Sequence, residues 1–337
     1  MSSLPGTKPP VIDDVARRAG VSVPTVSRVL TGAARVSEDK RARVLAAIDE
    51  LKFRPSAAAR ALVARAPRTI AVLAGDTSHY GYAETIRGIE ESARNAGYLV
   101  TITVVETPHE DSVDVAVSLV LNQPLAGVIV LKFDPAGVAA LQKIPADIPT
   151  VSISGIRENG VPQAVFQEAA AAEHLVNHLL ELGHRTVHHV RVPPSRKEDG
   201  RTSGWRRALK LAGRDIPEPV DATWEPESGR VIGRELAALP NVTAIFCGND
   251  EIAMGVIRGL AEGGKAVPGD ISVVGFDDHP LAAMWNPPLT TVRQDFAGLG
   301  VRAFGLLDNL LAGKPVKKFS TELPPVIIRE SSAPPRR

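Results

Sequence analysis

Residues 14–30 read DVARRAGVSVPTVSRVL, and this run contains two short helical patterns on either side of a glycine. The first pattern, residues 12–19, places its apolar side chains on one face, and Gly20 marks its end. The second covers about residues 23–31, with Pro24 in the first turn, where a missing N–H does no harm. Two short helices joined by a glycine turn predict a helix-turn-helix.

A third helix is expected to close the core of this motif. Ser37 can cap it, and its apolar stripe consists of Val44, Leu45, Ile48 and Leu51. In a helix-turn-helix the second helix enters the major groove of DNA. Arg28, on the outer side of that helix, can then fork onto guanine, while hydroxyls bond phosphates. Those hydroxyls belong to Ser22, Thr25 and Ser27. The alternative is a plain three-helix bundle with solvated polar residues.

Charge is distributed unevenly along the 337 residues. Residues 1–68 contain 13 Lys and Arg against 6 Asp and Glu, so they carry +7 and the rest of the chain carries −6. A basic head on an acidic body suggests that the head binds a polyanion such as nucleic acid. A basic solvated face without a partner would give the same count.

The quoted run resembles the helix-turn-helix signature of the LacI/GalR family of bacterial repressors. The resemblance implies that Val23 and Pro24 stand at base-reading positions, where they offer only apolar contacts. It also implies a hinge helix at residues 55–68, which orders when two copies pair in the minor groove. The alanine-rich segment 56–64 is shorter than the roughly 12–15 residues that an isolated helix needs. Leu62 matches the family's hinge leucine, which wedges between base pairs.

The hinge has an alternative reading, in which it is a flexible linker and Leu62 packs on the body. The complete set of residues expected to contact DNA is Ser22, Val23, Pro24, Thr25, Ser27, Arg28, Arg35, Ser37, Ser56 and Leu62.

From residue 69 onward, strand and helix patterns alternate, which predicts parallel sheets covered by helices. A body of this length is large for one such unit, so we expect two subdomains with a cleft between them. The first subdomain covers about 69–160 and 293–323, and the second covers about 163–290. Ligands of such folds bind beyond the carboxyl ends of the strands.

Polar and aromatic residues follow several of these predicted strands. Asp277 and Asn249 each come after an apolar strand, Arg201 lies at a helix start, and Trp224 lies in a loop. Carboxylate, amide and guanidinium groups around an aromatic ring suit a polyhydroxylated ligand, because hydroxyls need both donors and acceptors. Helix capping and loop hydrogen bonds are the alternative roles for each residue.

The resemblance continues through the body, to about residue 330, and implies the family's periplasmic-binding-protein-like effector domain. It places Arg201, Asn249 and Asp277 at ligand-bonding positions and Trp224 at a stacking position. Gln294 is expected to reach in from the other subdomain. The first strand–helix loop lines the cleft with His79, Tyr80 and Tyr82. Ser154, Gln167-Glu168 and His79-Tyr80-Gly81-Tyr82 depart from common family residues, which bears on ligand identity.

The predicted fold is thus an N-terminal all-α helix-turn-helix head with a hinge helix, followed by an α/β periplasmic-binding-protein-like effector domain of two parallel-sheet subdomains. The domains are 1–54, the hinge 55–68, the effector-binding and dimerisation domain 69–330, and a disordered tail 331–337. The tail lacks a leucine heptad, so a homodimer is expected.

The predicted function is a DNA-binding transcriptional regulator, expected to be a repressor. As a dimer it would bind a pseudo-palindromic operator, because protein symmetry must match operator symmetry. A small-molecule effector, expected to be a carbohydrate, would bind between the two subdomains and control DNA binding. The alternatives are a purine- or nucleoside-responsive corepressor-type regulator and a solute-binding protein that does not bind DNA.

Other classes lack the features they need. A transport protein would need an export signal, and residues 1–10, MSSLPGTKPP, contain no apolar segment. An enzyme would need a nucleophile–base pair or a cofactor loop, and none is convincing, so we expect no enzymatic activity, no cofactor and no metal. The single cysteine, Cys247, excludes a disulfide framework and fits a reducing cytoplasm. No apolar run is long enough to span a membrane.

Overall fold

The computed structural model describes residues 10–30, 36–53 and 67–336. The chain forms two compact units, Met1–Pro67 with the head and Arg68–Arg337 with the body. Residues 55–66 of the predicted hinge lie outside the described residues. In the described ranges, no helix combines the length and the apolar character needed to cross a bilayer.

The head contains the three predicted helices, α1 (Ile12–Ala19), α2 (Val23–Leu30) and α3 (Glu38–Glu50). Gly20 ends α1 with a φ of 64°, a left-handed conformation that glycine adopts without steric cost. The predicted stripe of α3 is wrong at Leu45, which is 54% exposed, and the buried position belongs to Ala47. Ser37 precedes α3 as predicted, but its hydroxyl makes no capping hydrogen bond.

The body alternates strands and helices, which confirms the prediction. The strands are β1 (Thr69–Ala74), β2 (Leu99–Val104), β3 (Gly127–Leu131), β4 (Thr150–Ser154), β5 (Gln163–Phe166), β6 (His188–Arg191), β7 (Val220–Asp221), β8 (Ala244–Cys247), β9 (Ser272–Val274), β10 (Thr291–Val292), β11 (Phe319–Glu322) and β12 (Val326–Ile327). The helices are α4 (Tyr80–Asn95), α5 (Glu110–Leu121), α6 (Pro135–Lys143), α7 (Glu168–Glu181), α8 (Gly200–Leu211), α9 (Pro226–Ala237), α10 (Asp250–Glu262) and α11 (Phe296–Leu311), with a 3-10 turn at Pro280–Ala283.

Two parallel sheets define the two subdomains. The first sheet has six strands in the order β11-β5-β4-β3-β1-β2, and the second has four in the order β7-β6-β8-β9. Helices α4 and α11 cover one face of the first sheet, and α5 and α6 cover the other. The boundary expected at residue 163 is wrong, because β5 pairs with β4 and β11 in the first sheet.

The C-terminal segment is ordered on the second subdomain, so the expected disorder of residues 331–337 is wrong for the described part, up to residue 336. Ser331 is fully buried, and its hydroxyl donates to the carbonyl oxygen of Val273 in β9 at 2.6 Å. Ala333 exchanges two hydrogen bonds with the hydroxyl of Ser272. These bonds satisfy polar groups along β9, which is why a Pro- and Ser-rich segment stays in place.

Helices α9 and α10 pack unusually closely through glycines. A Cβ added at Gly255 or Gly259 of α10 would lie 2.0 Å from the carbonyl oxygen of Pro226 or Arg230, respectively. From the other side, Gly229 and Gly233 of α9 similarly face the backbone of α10. The pairs are four residues apart, so they lie on one face of each helix and allow backbone-to-backbone contact.

Candidate functional site

The residues predicted to contact DNA lie mainly on one side of α2. Pro24 and Arg28 are exposed and stand one helical turn apart. Val26 and Val29 are buried on the opposite side. This short helix is therefore amphipathic, and its exposed face carries the long cationic side chain of Arg28.

The smaller polar residues of the head are placed around that outer face. Ser22 is exposed just before α2, and its hydroxyl lies 3.0 Å from the hydroxyl of Thr25. Among the predicted contacts in α2, Val23, Thr25 and Ser27 are half-buried, and Ser37 is exposed before α3. Arg35, Ser56 and Leu62 lie outside the described residues.

The body contains a cleft at the carboxyl ends of the strands; its space of about 690 Å³ is partly open to solvent. Residues from both subdomains line it. Seven of the eight predicted effector residues are among them: His79, Tyr80, Tyr82, Arg201, Trp224, Asn249 and Asp277. They converge because the carboxyl ends of parallel strands meet at one edge of a sheet.

Arg201 is the central charged group of this cleft. It lies in the first turn of α8, and its Nη2 donates to the carboxylate of Glu168 at 3.1 Å and to Gln294 at 2.9 Å. Its Nη1 donates to the carbonyl oxygen of Gly248, and its guanidinium stacks 4.5 Å from the ring centroid of Phe276. Burial lowers the pKa of Arg201, but nearby carboxylates outweigh burial and raise it above its ordinary value. The guanidinium is therefore a fixed cation.

Asp277 stands beside this cation in a strained backbone conformation. Its φ is 112°, a region that few residues other than glycine adopt, and its backbone N–H donates to Val292 at 2.8 Å. Its Oδ1 lies 3.2 Å from Nη2 of Arg201. Burial raises the pKa of Asp277 to about 7; Arg201 lowers it, whereas Glu168 and Glu251 raise it further.

Asn249 and two aromatic residues complete the lining. The Oδ1 of Asn249 caps α10 by accepting from the backbone of Ile252 at 2.8 Å, and its Nδ2 donates to Glu251 at 3.2 Å. The ring of Trp224 lies 5.4 Å from that of His79, so the two subdomains contribute adjacent rings. The cleft thus combines flat apolar surfaces with donors and acceptors.

Gln294 is the one predicted effector residue that is not among those lining the cleft, and Tyr82 lines it with its hydroxyl already engaged. Gln294 does not line the cleft; it is buried behind Arg201, where its Oε1 accepts from the guanidinium. Tyr82 lines the cleft, but its hydroxyl donates to Asp134. In this structure Tyr82 therefore presents its ring to the cleft, and Gln294 is bonded to Arg201.

Sequence reasoning missed several charged residues of the site. Lys132 follows β3, is 3% exposed, and its Nζ lies 2.6 Å from the carboxylate of Glu158. Glu168, noted only as a departure from a common family residue, holds Arg201. The position of Lys132 at a strand end was a usable signal, because ligand-contacting residues of such folds occupy these ends.

His189 is a buried residue that connects the helix carrying Arg201 to the second sheet. Its ring is buried between Phe246 and Trp205, its Nδ1 lies 3.0 Å from the carbonyl oxygen of Phe246, and its Nε2 lies 3.1 Å from the hydroxyl of Thr202. A carbonyl only accepts, so Nδ1 carries the proton and Nε2 accepts from Thr202. This bond ties the first turn of α8, and hence Arg201, to the second sheet.

The protein is expected to lose stability in acid through this ring. Burial lowers the pKa of His189 to about 4, below its ordinary 6.5, so stability from the neutral ring is present above 6.5 and is lost as pH falls. Between pH 7 and pH 5 the loss is about 2 kcal/mol. Urea unfolding of His189→Leu should show a smaller loss over this interval. An unchanged loss would contradict this role of His189.

The described residues contain no group of three or more His, Cys, Asp or Glu side chains arranged to hold a metal ion. Cys247 is buried at the end of β8, and burial raises the pKa of its thiol. A buried neutral thiol is a poor nucleophile.

Comparison with known proteins assigns the two parts of the chain. Residues 11–56 match the model of bacterial regulatory proteins of the lacI family, and residues 176–332 match a periplasmic binding protein-like domain. The repressor PurR of Klebsiella pneumoniae (strain 342) is 33% identical over 329 residues, covering 95% of this chain and 96% of the relative. Catabolite control protein A of Priestia megaterium is 31% identical over 321 residues, covering 93% and 96%.

Solved structures agree with this assignment and confirm the predicted head and body. A Lac repressor dimer bound to operator and the anti-inducer ONPF has a TM-score of 0.88 and 29% identity, covering 97% of this chain and 100% of that chain. The regulator CelR in complex with cellobiose has a TM-score of 0.69 and 26% identity, covering 96% and 99%. The chain therefore belongs to the LacI family of bacterial regulatory proteins, which are DNA-binding transcriptional regulators with small-molecule effectors.

Proposed function

We propose that this protein is a repressor that binds a pseudo-palindromic operator as a homodimer and responds to a small carbohydrate in the cleft. The observation that carries the proposal is the outer face of α2, where Arg28 stands exposed in a helix-turn-helix. A guanidinium in that position can bond guanine O6 and N7 together in the major groove.

The other head residues are assigned supporting roles. Ser22, Thr25 and Ser27 bond phosphates, which position the helix without reading sequence. Val23 and Pro24 offer apolar contacts, for example to a thymine methyl. Further proposed DNA contacts, two of them in the hinge, are Arg35, Ser37, Ser56 and Leu62.

Replacing Arg28 by Ala should weaken specific binding much more than non-specific binding. The lost guanine contact corresponds to about 1–3 kcal/mol of discrimination, whereas the change in phosphate attraction is shared by all sequences. The preferred duplex would first be selected from a random pool with the full-length protein, and anisotropy titrations would then compare it with random DNA.

Arg43→Ala on α3 is the control, because it also removes one positive charge from the head. Arg43 lies on α3, where it pairs with Asp39. Equal losses on specific and random duplexes in Arg28→Ala would contradict base reading by this residue. A wild-type protein that selects no inverted repeat would overturn the proposed function.

The cleft supports a carbohydrate effector. Its aromatic rings, including Trp224, can cover the apolar face of a sugar, while Asp277 and Asn249 offer polar groups to hydroxyls. CelR, a structural neighbour, is described with cellobiose. PurR supports the purine alternative more weakly, because only its name points that way.

Exposed apolar surface on the body supports the homodimer. Strand β2 lies at the edge of the first sheet and exposes Leu99, Ile102 and Val104. In the second subdomain Leu281 and Met284 are 51% and 78% exposed. An uncovered edge strand with apolar side chains is an aggregation hazard, so a second copy of the chain is the expected cover.

We also infer that the protein works in the cytoplasm and has no enzymatic activity. Its relatives are named as transcriptional repressors and a control protein. Operator DNA is a cytoplasmic partner in bacteria, which supports the location.

A further inference from the structure

The lining of the cleft contains more acidic than basic side chains. Four acidic side chains line the cleft, those of Glu168, Asp199, Glu251 and Asp277, against the basic side chains of Lys132 and Arg201; His79, Tyr80 and Tyr82 line it as well. Carboxylates that share a buried space disfavour one another's ionised form. A group that brings positive charge would therefore be stabilised there.

Both protein cations already have partners. Lys132 is paired with Glu158, which does not line the cleft and is also paired with Arg196. Nη2 of Arg201 has two hydrogens, and it donates to Glu168 and to Gln294. The guanidinium therefore has no further hydrogen at this nitrogen for Asp277, although the two groups lie 3.2 Å apart.

Asp277 is left with an unsatisfied acceptor. Its residue is 9% exposed, and Oδ1 accepts no hydrogen bond from the described residues. Buried polar atoms in native proteins almost always have a partner, so an orphaned carboxylate oxygen in a ligand cleft points to a ligand donor. Burial raises the pKa of Asp277 to about 7, and the neighbouring carboxylates of Glu168 and Glu251 add to this rise.

We propose that the effector carries a protonated primary amine beside its hydroxyls, and that this ammonium group lies against Asp277 and Glu251. The effector class is thus an amino sugar. This inference rests on the proposed function, because it specifies the ligand of the same cleft. An ammonium supplies the missing donor and the missing charge together, whereas a neutral hydroxyl supplies only the donor. Phosphorylated or carboxylated sugars are disfavoured by the four carboxylates of the lining.

The test compares matched sugars on the full-length protein. Dissociation constants from thermal-shift titrations near neutral pH would be measured for glucose, 6-amino-6-deoxyglucose, glucosamine, N-acetylglucosamine and glucose 6-phosphate, with the galactose and mannose series in parallel. At least one amine should bind about tenfold or more tightly than its neutral parent. N-acetylation, which removes the charge, should abolish that advantage.

Asp277→Asn keeps the shape of the side chain, and asparagine also tolerates a positive φ. This variant should bind the amine no better than the neutral parent, and Glu251→Gln should reduce the advantage if Asp277→Asn does not fold. Glu227→Gln removes an exposed carboxylate outside the cleft and should leave the preference unchanged.

A neutral or phosphorylated sugar that binds as tightly as the amine would overturn this inference, and so would the absence of binding throughout the panel. The proposed regulator function is tested separately by operator selection. A neutral sugar that changes operator affinity would support the regulator function but would contradict the proposal that the effector carries an amine.

Discussion

Arg201→Ala is expected to abolish the response of operator binding to the effector and to destabilise the body by about 3–5 kcal/mol. The guanidinium is the buried partner of Glu168 and lies beside Asp277, and its removal leaves two carboxylates without a counter-charge. The loss should be largest above neutral pH and smaller in acid, because protonation relieves uncompensated carboxylates.

Urea unfolding of the full chain would measure this change. Arg207→Ala is the matched control on the same helix, because Arg207 is 59% exposed and pairs with Glu173 at the surface. Surface ion pairs contribute only about 0–1 kcal/mol, so this variant should remain close to wild type. If Arg201→Ala also lowered the free energy of unfolding by no more than about 1 kcal/mol, the buried charges would not be coupled as described.

Gly259→Val is expected to separate α9 from α10 and to lower stability by more than the roughly 1–3 kcal/mol typical of overpacked sites. Even a Cβ would lie 2.0 Å from the carbonyl oxygen of Arg230, and a backbone atom cannot turn aside as a flexible side chain can. Because α10 carries Asn249 at its cap and Glu251 in its first turn, effector affinity should fall as well.

Gly305→Ala gives a control of opposite sign. Gly305 lies within α11, and an added Cβ there would meet nothing within 4 Å. Alanine should therefore stabilise that helix by about 0.5–1 kcal/mol. If Gly259→Ala were also stabilising by this amount, the close approach of α9 and α10 would not limit the size of the side chain.

The sequence predicted the elements whose determinants are local. The α1–Gly20–α2 turn needs only a glycine and two apolar faces, and the alternation of the body follows from apolar runs and helical periodicity. The convergence of Arg201, Asn249 and Asp277 was predictable because strand ends meet at one edge of a sheet.

The sequence could not specify contacts between distant residues. Nothing local shows that Glu158 accepts from Lys132 or that Gln294 lies behind Arg201, because these pairs depend on how the strands are ordered. The same reason explains the error at residue 163. Its strand pairs with β11, which comes late in the chain. The error at Leu45 has a similar cause. Periodicity alone does not decide whether both of two adjacent helical positions face the core.

The strand order also has a consequence for synthesis of the protein. Strand β11 covers β5 at the edge of the first sheet, and Ser331 and Ala333 bond β9 in the second. While the ribosome is still translating the residues before these segments, both nascent sheets have an open edge. Exposed edges of this kind pair readily with other chains. Premature termination shortly before residue 319 should therefore yield a product that depends on chaperones to stay unaggregated.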